Sequence, residues 1–208
     1  MTKRISPLNM EMQPDQVIVR DSWEIALTYL GEKKYNPHFI ADLSHVPKWI
    51  LQWHDLDSIQ PAGLPMPARP REVTLEQGIL IIRLTPGECR IMALGHESPE
   101  CDGPQYTEVT DAFAALAVVG PQCMEILNKL GSVDLDRPGQ AVPCAAQAPI
   151  AEVPCLITRL HGQENIPGLI VTGVRGYGHF LLKVFLDAGK EFGLSAAGWN
   201  RFKTWLAI

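Results

Sequence analysis

The feature that most constrains the fold of this chain is an order of predicted elements that occurs twice. In the first half an extended segment (39–52) precedes a candidate short helix in WHDLDSIQ, a proline-rich loop and a hairpin (79–94). In the second half a buried strand (111–119) precedes a helix, a loop, a hairpin (153–173) and a further helix. The two series lie about 70 residues apart, as in chains built from two similar units. Because strands and helices do not alternate strictly, the order predicts an α+β fold with two similar halves, antiparallel sheets and packed helices.

Composition is consistent with a single folded unit over residues 1–208, with repeated halves at about 16–100 and 101–208. The chain is 46% hydrophobic and 20% charged, which is typical of a globular protein that can bury a sizeable core. A net charge of −5, without clusters of lysine or arginine, argues against nucleic acid or an anionic membrane as a partner. No apolar run is long enough to span a bilayer, and no apolar signal core follows the basic residues at the N-terminus. We therefore expect a cytoplasmic protein.

Turn and capping residues mark several elements. The sequence TPGE between two apolar runs predicts one hairpin, and GQEN predicts the turn of the other. Gly120 and Pro121 open a predicted helix over 121–130, and Gly131 ends it. A helix is predicted over about 179–192, and a last helix from about Ser195.

Two further segments are assigned from spacing and composition. Trp23, Ala26, Leu27 and Leu30 recur at the spacing of one helix face, which predicts a helix capped at Asp21 or Ser22. The stretch PAGLPMPARP (61–70) is predicted to be an extended surface loop, because each proline fixes φ and lacks a backbone donor. It is read as a connector, with a proline-rich ligand for another protein as the alternative. Residues 132–151 are predicted to be a loop.

The titratable residues give no pattern of a metal or hydrolytic site. The chain has five cysteines, an odd number without a C-x-x-C pair, so we expect reduced and mostly buried thiols and no metal. Asp42, Ser44 and His45 are the residue types of a hydrolytic triad. On one extended strand their side chains alternate between two faces, so they are not expected to meet as a triad. No catalytic residue is assigned.

Three segments carry a resemblance to a known family. The stretches ADLSHVPKWIL, VTDAFAALAVVGPQCMEILNKLGSVDL and LDAGKEFGLSAAG resemble, in order and spacing, the aminomethyltransferase family, which includes the T protein of glycine cleavage. The similarity runs from about Asp42 to Leu206. In size and in its LP…P loop the chain is similar to the gamma-subunit branch of heterotetrameric sarcosine oxidase. Gly87 and Cys89 depart from that branch, where an acid and a tryptophan are expected.

The resemblance also shows which reactive groups are missing. The family places an aspartate pair in a G-G-I-x-D-D strand, and the matching stretch GILII has Ile81 and Ile82 instead. Isoleucine cannot move a proton, so general acid–base work at these positions is lost. The family's pterin-binding glutamate falls near GYGHFLLKV, which has no acid. Tyr177 and His179 stand in that neighbourhood and are the candidate cofactor-binding residues.

The resemblance implies two functions. The first is a non-catalytic, structural subunit of a heteromeric flavin- and folate-dependent oxidase complex, whose larger partner chains carry out the reaction. Without such partners, we expect the chain to associate with copies of itself. Trp49 and Trp53 would then lie near the interface, because tryptophan is enriched at interfaces. The alternative is a stand-alone tetrahydrofolate-dependent methyl or aminomethyl transferase with relocated acids, for which Glu76, Glu108 and Asp111 are candidates. We expect no cofactor bound by this chain itself, although tetrahydrofolate remains possible.

Overall fold

In the computed structural model, residues 3–33, 35–95, 99–137 and 139–208 are described. The described residues form thirteen strands and three α-helices. The strands are β1 (Pro14–Arg20), β2 (Trp23–Tyr29), β3 (Phe39–Asp42), β4 (Lys48–Gln52), β5 (Val73–Glu76), β6 (Ile79–Thr85), β7 (Glu88–Ala93), β8 (Tyr106–Glu108), β9 (Phe113–Val119), β10 (Cys144–Ile150), β11 (Val153–His161), β12 (Pro167–Val174) and β13 (Ser195–Ala197). The helices are α1 (Cys123–Leu130), α2 (Gly178–Gly189) and α3 (Trp199–Leu206).

The strands form two large sheets and a two-stranded hairpin. The six-stranded sheet has the order β10-β11-β12-β9-β3-β13, and the five-stranded sheet has the order β5-β6-β7-β4-β8. All pairs are antiparallel except β13 with β3. β3, from the first half of the chain, pairs with β9 in the six-stranded sheet, and β8, from the second half, pairs with β4 in the five-stranded sheet. Each large sheet therefore contains one strand from the other half of the chain. The predicted α+β class with antiparallel sheets is confirmed.

The helix predicted over residues 21–30 is wrong, because this segment forms the strand β2 of the β1–β2 hairpin. Asp21 and Ser22 have φ values of 48° and 68°, so they form a two-residue turn of the kind that joins antiparallel strands. Trp23 and Ile25 are buried while Glu24 between them is exposed. This alternation is the period of a strand, and the paired strand β1 decides between the two patterns.

The extended segment over 39–52 is two strands and not one. β3 ends at Asp42 and belongs to the six-stranded sheet, whereas β4 begins at Lys48 and belongs to the five-stranded sheet. The prediction of a loop over 132–151 is also wrong in part, because β10 pairs with β11 there. The last helix begins at Trp199 and not at Ser195, since residues 195–197 add the parallel edge strand β13.

The strongest local signals are confirmed. The hairpins turn at Pro86–Gly87 and at residues 162–166, as predicted from TPGE and GQEN. The helix after Gly120 is α1, and Gly131 follows its last turn, with its backbone N–H donating to the carbonyl of Leu127. The helix predicted over 179–192 is α2, continued by a short 3₁₀ turn.

The proline-rich segment covers one face of the five-stranded sheet. Pro61, Leu64 and Pro67 are buried, whereas Pro65 and Pro70 are exposed. Leu64 packs in a hydrophobic cluster with Trp49, Leu51, Leu56, Ile81, Cys89, Ile91 and Ala93. The segment is therefore partly a cover for the core and not only a surface connector.

Most of the tryptophans belong to the interior. Trp23, Trp49, Trp199 and Trp205 are each at most 9% exposed, and only Trp53 is substantially exposed, at 38%. The other face of the five-stranded sheet packs against the six-stranded sheet and α3, and α1 and α2 cover the remaining face of the six-stranded sheet. In the described part of the chain, no helix has the length and hydrophobicity needed to cross a membrane.

Candidate functional site

A cleft of about 540 Å³ lies between the two large sheets. The β4 and β7 side contributes Trp49 and Met92, and the β9–β12 side contributes Phe113, Leu156 and Thr172. Its walls are mainly apolar, and Phe113 is an aromatic residue among those that line it. A cleft of this size with apolar walls suits a small organic ligand.

Two basic residues of the five-stranded sheet border this cleft. Lys48 is the first residue of β4 and is only 3% exposed. Its ammonium group donates to the carbonyl oxygens of Ser44 and Val46, at 2.9 and 2.6 Å. Burial lowers the pKa of Lys48 to about 7, and the nearby carboxylate of Asp42 opposes this shift.

Arg90 on β7 is the second basic residue. Its guanidinium lies 5.5 Å from the centre of the Phe113 ring, a cation–π distance. Its Nη2 atom lies 3.1 Å from a carboxylate oxygen of Glu88. Burial lowers the pKa of Arg90, while Glu88 raises it. The cleft therefore has an aromatic residue, Phe113, and the positive charge of Arg90 side by side, a combination that favours an anion with an apolar part.

The positions where the family has aspartates contribute no carboxylate to this cleft. Ile81 is fully buried and packs beneath the proline-rich segment. Ile82 is 1% exposed and packs with the core between the sheets. None of the described residues that line the cleft is an aspartate or glutamate. The described lining residues therefore offer no carboxylate that could donate or accept a proton.

The three acids proposed as relocated catalytic groups lie outside the cleft. Glu76 lines a separate shallow pocket of about 330 Å³ beside β5. Glu108 is exposed on the short strand β8. Asp111 pairs with Arg4 and Arg175, at 3.2 and 3.7 Å, and so holds the N-terminal segment to the end of β12. The structure does not bring the three carboxylates together at one site.

The two candidate cofactor-binding residues lie at the start of α2. Tyr177 is 50% exposed. The Nδ1 atom of His179 lies 2.9 Å from the carbonyl oxygen of Leu8, so this nitrogen carries the proton and donates. Neither residue is among the described residues that line the cleft. Both remain predictions as ligand contacts.

Asp42, Ser44 and His45 do not form a hydrolytic triad, although two of them share a cavity. The Ser44 hydroxyl donates to the carbonyl of Ala115 and accepts from its N–H, at 3.3 and 3.2 Å. Asp42 and His45 both line a separate cavity of about 140 Å³. The expected alternation of faces does not apply, because β3 ends at Asp42, and Ser44 and His45 lie in the turn that follows.

Lys48 and Arg90 were not predicted as site residues from the sequence. Each is a charged residue within an otherwise apolar strand, in the segments VPKWIL and ECRIM. A long charged residue at an inward-facing strand position is the signal that could have found them, because such residues are rarely buried without a partner. Which face is inward depends on strand register and is not visible in one sequence.

The fold and a part of the sequence are similar to known proteins. No protein-family model matches the chain. An aminomethyltransferase of Caldanaerobacter subterraneus subsp. tengcongensis is 33% identical over 94 residues, which are 45% of this chain and 25% of that protein. The chain thus matches only a quarter of this curated relative.

Two solved structures share the fold. A chain of the heterotetrameric sarcosine oxidase from Corynebacterium sp. U-96, in complex with pyrrole 2-carboxylate, superposes with a TM-score of 0.58 at 19% identity. The superposition covers 74% of this chain and 84% of that one. The glycine cleavage system aminomethyltransferase T from Bartonella henselae gives a TM-score of 0.57 at 16% identity, over 89% of this chain and 56% of that one. The chain therefore shares its fold with these two proteins, as the sequence resemblance predicted.

Proposed function

From this shared fold we propose that the chain is a non-catalytic subunit of a heteromeric, flavin- and folate-dependent oxidase complex of the sarcosine oxidase type. The observation that carries the proposal is the absence of carboxylates among the described lining residues of the cleft, together with buried isoleucines at positions 81 and 82. An aminomethyl transfer needs a group that accepts or donates a proton at the reacting nitrogen. The similar length of the matched sarcosine oxidase chain is in keeping with a subunit role.

The cleft has residues that suit tetrahydrofolate without the groups that react with it. Phe113 offers an aromatic surface for a pterin ring, and Arg90 supplies positive charge for a carboxylate. Bound folate would supply a nitrogen that accepts one-carbon units. In this proposal the chain holds or shields such a molecule, and a partner chain performs the reaction.

The alternative, a stand-alone transferase with relocated acids, gains no support from the positions of its candidate residues. Glu108 is exposed on β8, and Asp111 is held in two ion pairs. Glu76 lines a different pocket. We therefore place the subunit first.

Trp53 and the exposed part of the proline-rich segment are the proposed edge of the partner interface. Trp53 is the one tryptophan that is substantially exposed, and it lies directly after β4. Exposed aromatic residues are enriched where proteins associate. Expressed alone, the chain is expected to self-associate or to be poorly soluble.

Two measurements test the proposal. The purified chain is assayed for methyl and aminomethyl transfer to tetrahydrofolate, with a glycine-cleavage aminomethyltransferase as the positive control and heat-inactivated protein as the blank. We expect no turnover above the blank. The tagged chain is then purified from its native host, where it should co-purify in fixed stoichiometry with a flavin-containing chain that oxidises sarcosine or a related amine. Transfer activity, or a soluble monomer without flavin or oxidase activity, would reject the subunit role.

A further inference from the structure

Arg90 carries its charge into an apolar part of the cleft. Within its own sheet it lies between Ile82 of β6 and Ile50 of β4, the residues that pair with it on the two neighbouring strands. Paired residues of a sheet point to the same face, so the two isoleucines flank the arginine side chain. From the opposite sheet, the ring centre of Phe113 lies 5.5 Å from the guanidinium. The side chain of Arg90 is 22% exposed, and this exposed part is what a ligand in the cleft can reach.

The protein neutralises this guanidinium only in part. Among the described residues its ion-pair partner is Glu88, with a carboxylate oxygen 3.1 Å from Nη2, while the enclosed Nη1 atom has no hydrogen-bond partner. By contrast, the guanidinium of Arg83 on β6 donates to a carboxylate oxygen and to three backbone carbonyls. Arginines that are largely removed from water usually have several partners, because desolvation of their charge is costly. The accessible part of Arg90 can therefore pair with a further anion.

Glu88 holds the same guanidinium from outside the cleft. It lies two residues before Arg90 on β7, so the two side chains point to the same face of the sheet. Glu88 is not among the described residues that line the cleft. One of its carboxylate oxygens is the partner of Arg90, and the other accepts from the side-chain amide of Gln52 at 3.1 Å. The carboxylate is thus fixed beside the place where a ligand carboxylate would meet Arg90.

The charges around the cleft limit the kind of anion that it can hold. Lys48 borders the cleft as well, but its ammonium donates to two backbone carbonyls of the turn before β4. Arg90 and Glu88 together carry no net charge, so a doubly charged phosphate group would bring more charge among apolar walls than these residues can balance. A carboxylate brings a single charge, and its two oxygens match the planar guanidinium. The apolar part of such a ligand would lie against side chains from both sheets, namely Met92, Phe113 and Leu156.

We propose that Glu88 is the specificity-determining residue of the cleft, because its carboxylate competes with that of an apolar monocarboxylate ligand for Arg90. Removal of the Glu88 charge then tightens the binding of carboxylates and leaves neutral molecules of the same shape unaffected. This competition rests on the proposed function in one respect, that an anion with an apolar part binds in the cleft. It does not depend on a partner chain or on the loss of transfer activity.

Indole-3-acetate and its neutral counterpart indole-3-acetamide are the probes, titrated into the full chain by calorimetry at constant pH and ionic strength. We expect the wild type to bind the carboxylate more tightly than the amide. In Glu88→Gln the affinity for indole-3-acetate should rise about tenfold, the effect of removing one charge several Å away in a medium between water and protein interior. The affinity for indole-3-acetamide should stay the same. Arg90→Gln should abolish the preference for the carboxylate.

Asp134→Asn is the matched control. It removes the same charge from an exposed ion pair with Arg137, which is not part of the cleft, and should leave both affinities unchanged. An unchanged ratio of the two affinities in Glu88→Gln would overturn the proposal, as would an equal gain in Asp134→Asn or a wild type that binds neither probe. Should Arg90→Gln fail to fold, the titrations of the wild type, Glu88→Gln and Asp134→Asn decide the matter by themselves. The subunit role is tested separately by co-purification, which none of these titrations can reject.

Discussion

The ammonium nitrogen of Lys48 lies 2.6 Å from the backbone carbonyl oxygen of Val46, two residues earlier in the chain. The same nitrogen donates to the carbonyl of Ser44 at 2.9 Å. Because the turn that precedes β4 wraps around this group, the charge is removed from water and the pKa of Lys48 falls to about 7. The side chain thus fills the connection where the backbone passes from one large sheet to the other.

The first prediction concerns pH. The native pKa of Lys48 lies below the value of about 10.4 in an unfolded chain, so the unfolded state binds more protons between these values and stability rises with pH there. Relative to Lys48→Met, the wild type should gain about 2 kcal/mol in free energy of unfolding between about pH 7 and pH 9. Urea unfolding at several pH values measures this difference, and cysteine ionisation, present in both proteins, cancels. Parallel pH profiles for the two proteins would contradict it.

The second prediction concerns the buried Ile81, which matches an aspartate of the family in the sequence resemblance. Ile81→Asp should lower the free energy of unfolding by about 4 kcal/mol or prevent folding, because Ile81 is fully buried and a charge there has no partner. Ile81→Val, which removes one methylene group, should cost only about 1 kcal/mol. Both are measured by chemical denaturation. A stable Ile81→Asp variant, above all one that transfers one-carbon units, would show that this position still faces a reactive site.

The third prediction concerns the contact between the β1–β2 hairpin and the start of α3. A Cβ atom at Gly198 would lie 2.1 Å from the carbonyl oxygen of Leu27, a backbone atom that cannot yield easily. Gly198→Ala should therefore cost about 2–3 kcal/mol, the range of overpacking. Gly176→Ala is the control, since a Cβ there meets nothing within 4 Å. Equal urea midpoints for the two variants would show that the hairpin is not seated on Gly198.

The fourth prediction concerns the thiols. Cys101 is partly exposed, and the other four cysteines are buried. Burial raises the pKa of Cys101 to about 11 and that of Cys89 to about 12, so few thiolates form near neutral pH. Native protein should react slowly with a thiol reagent, first at Cys101, and all five thiols should react in denaturant. Cys101→Ser should remove the fastest native phase. Rapid labelling of a second native thiol would contradict the burial of the others.

Local sequence patterns were enough to predict an element where the residues fit only one kind of structure. Pro86 and Gly87 could only turn the chain between two apolar strands, and Gly120 with Gly131 bounded a helix whose apolar residues have a single period. The fold was predicted from a resemblance that also rests on short local stretches in a fixed order. The isoleucines at 81 and 82, in the stretch that resembles the family's aspartate strand, were visible in the sequence for the same reason.

The β2 strand shows where local reasoning fails. Trp23, Ala26 and Leu30 fit a helix face, while Trp23, Ile25 and Tyr29 fit a strand face, so the segment satisfies both periods. Pairing with β1 selects the strand, because it supplies backbone partners that a lone segment does not have.

The sequence by itself determined the fold class, the two main hairpins and the helices α1 and α2, since each depends on residues close together in the chain. Only the tertiary structure decided that β3 and β8 each pair within the sheet of the other half of the chain. It also decided that Lys48 and Arg90 border one cleft, and that Trp23, His45 and Trp199 line one cavity. These arrangements join residues from distant segments. Their physical cause is strand pairing and burial across the whole molecule, which no local period or turn residue encodes.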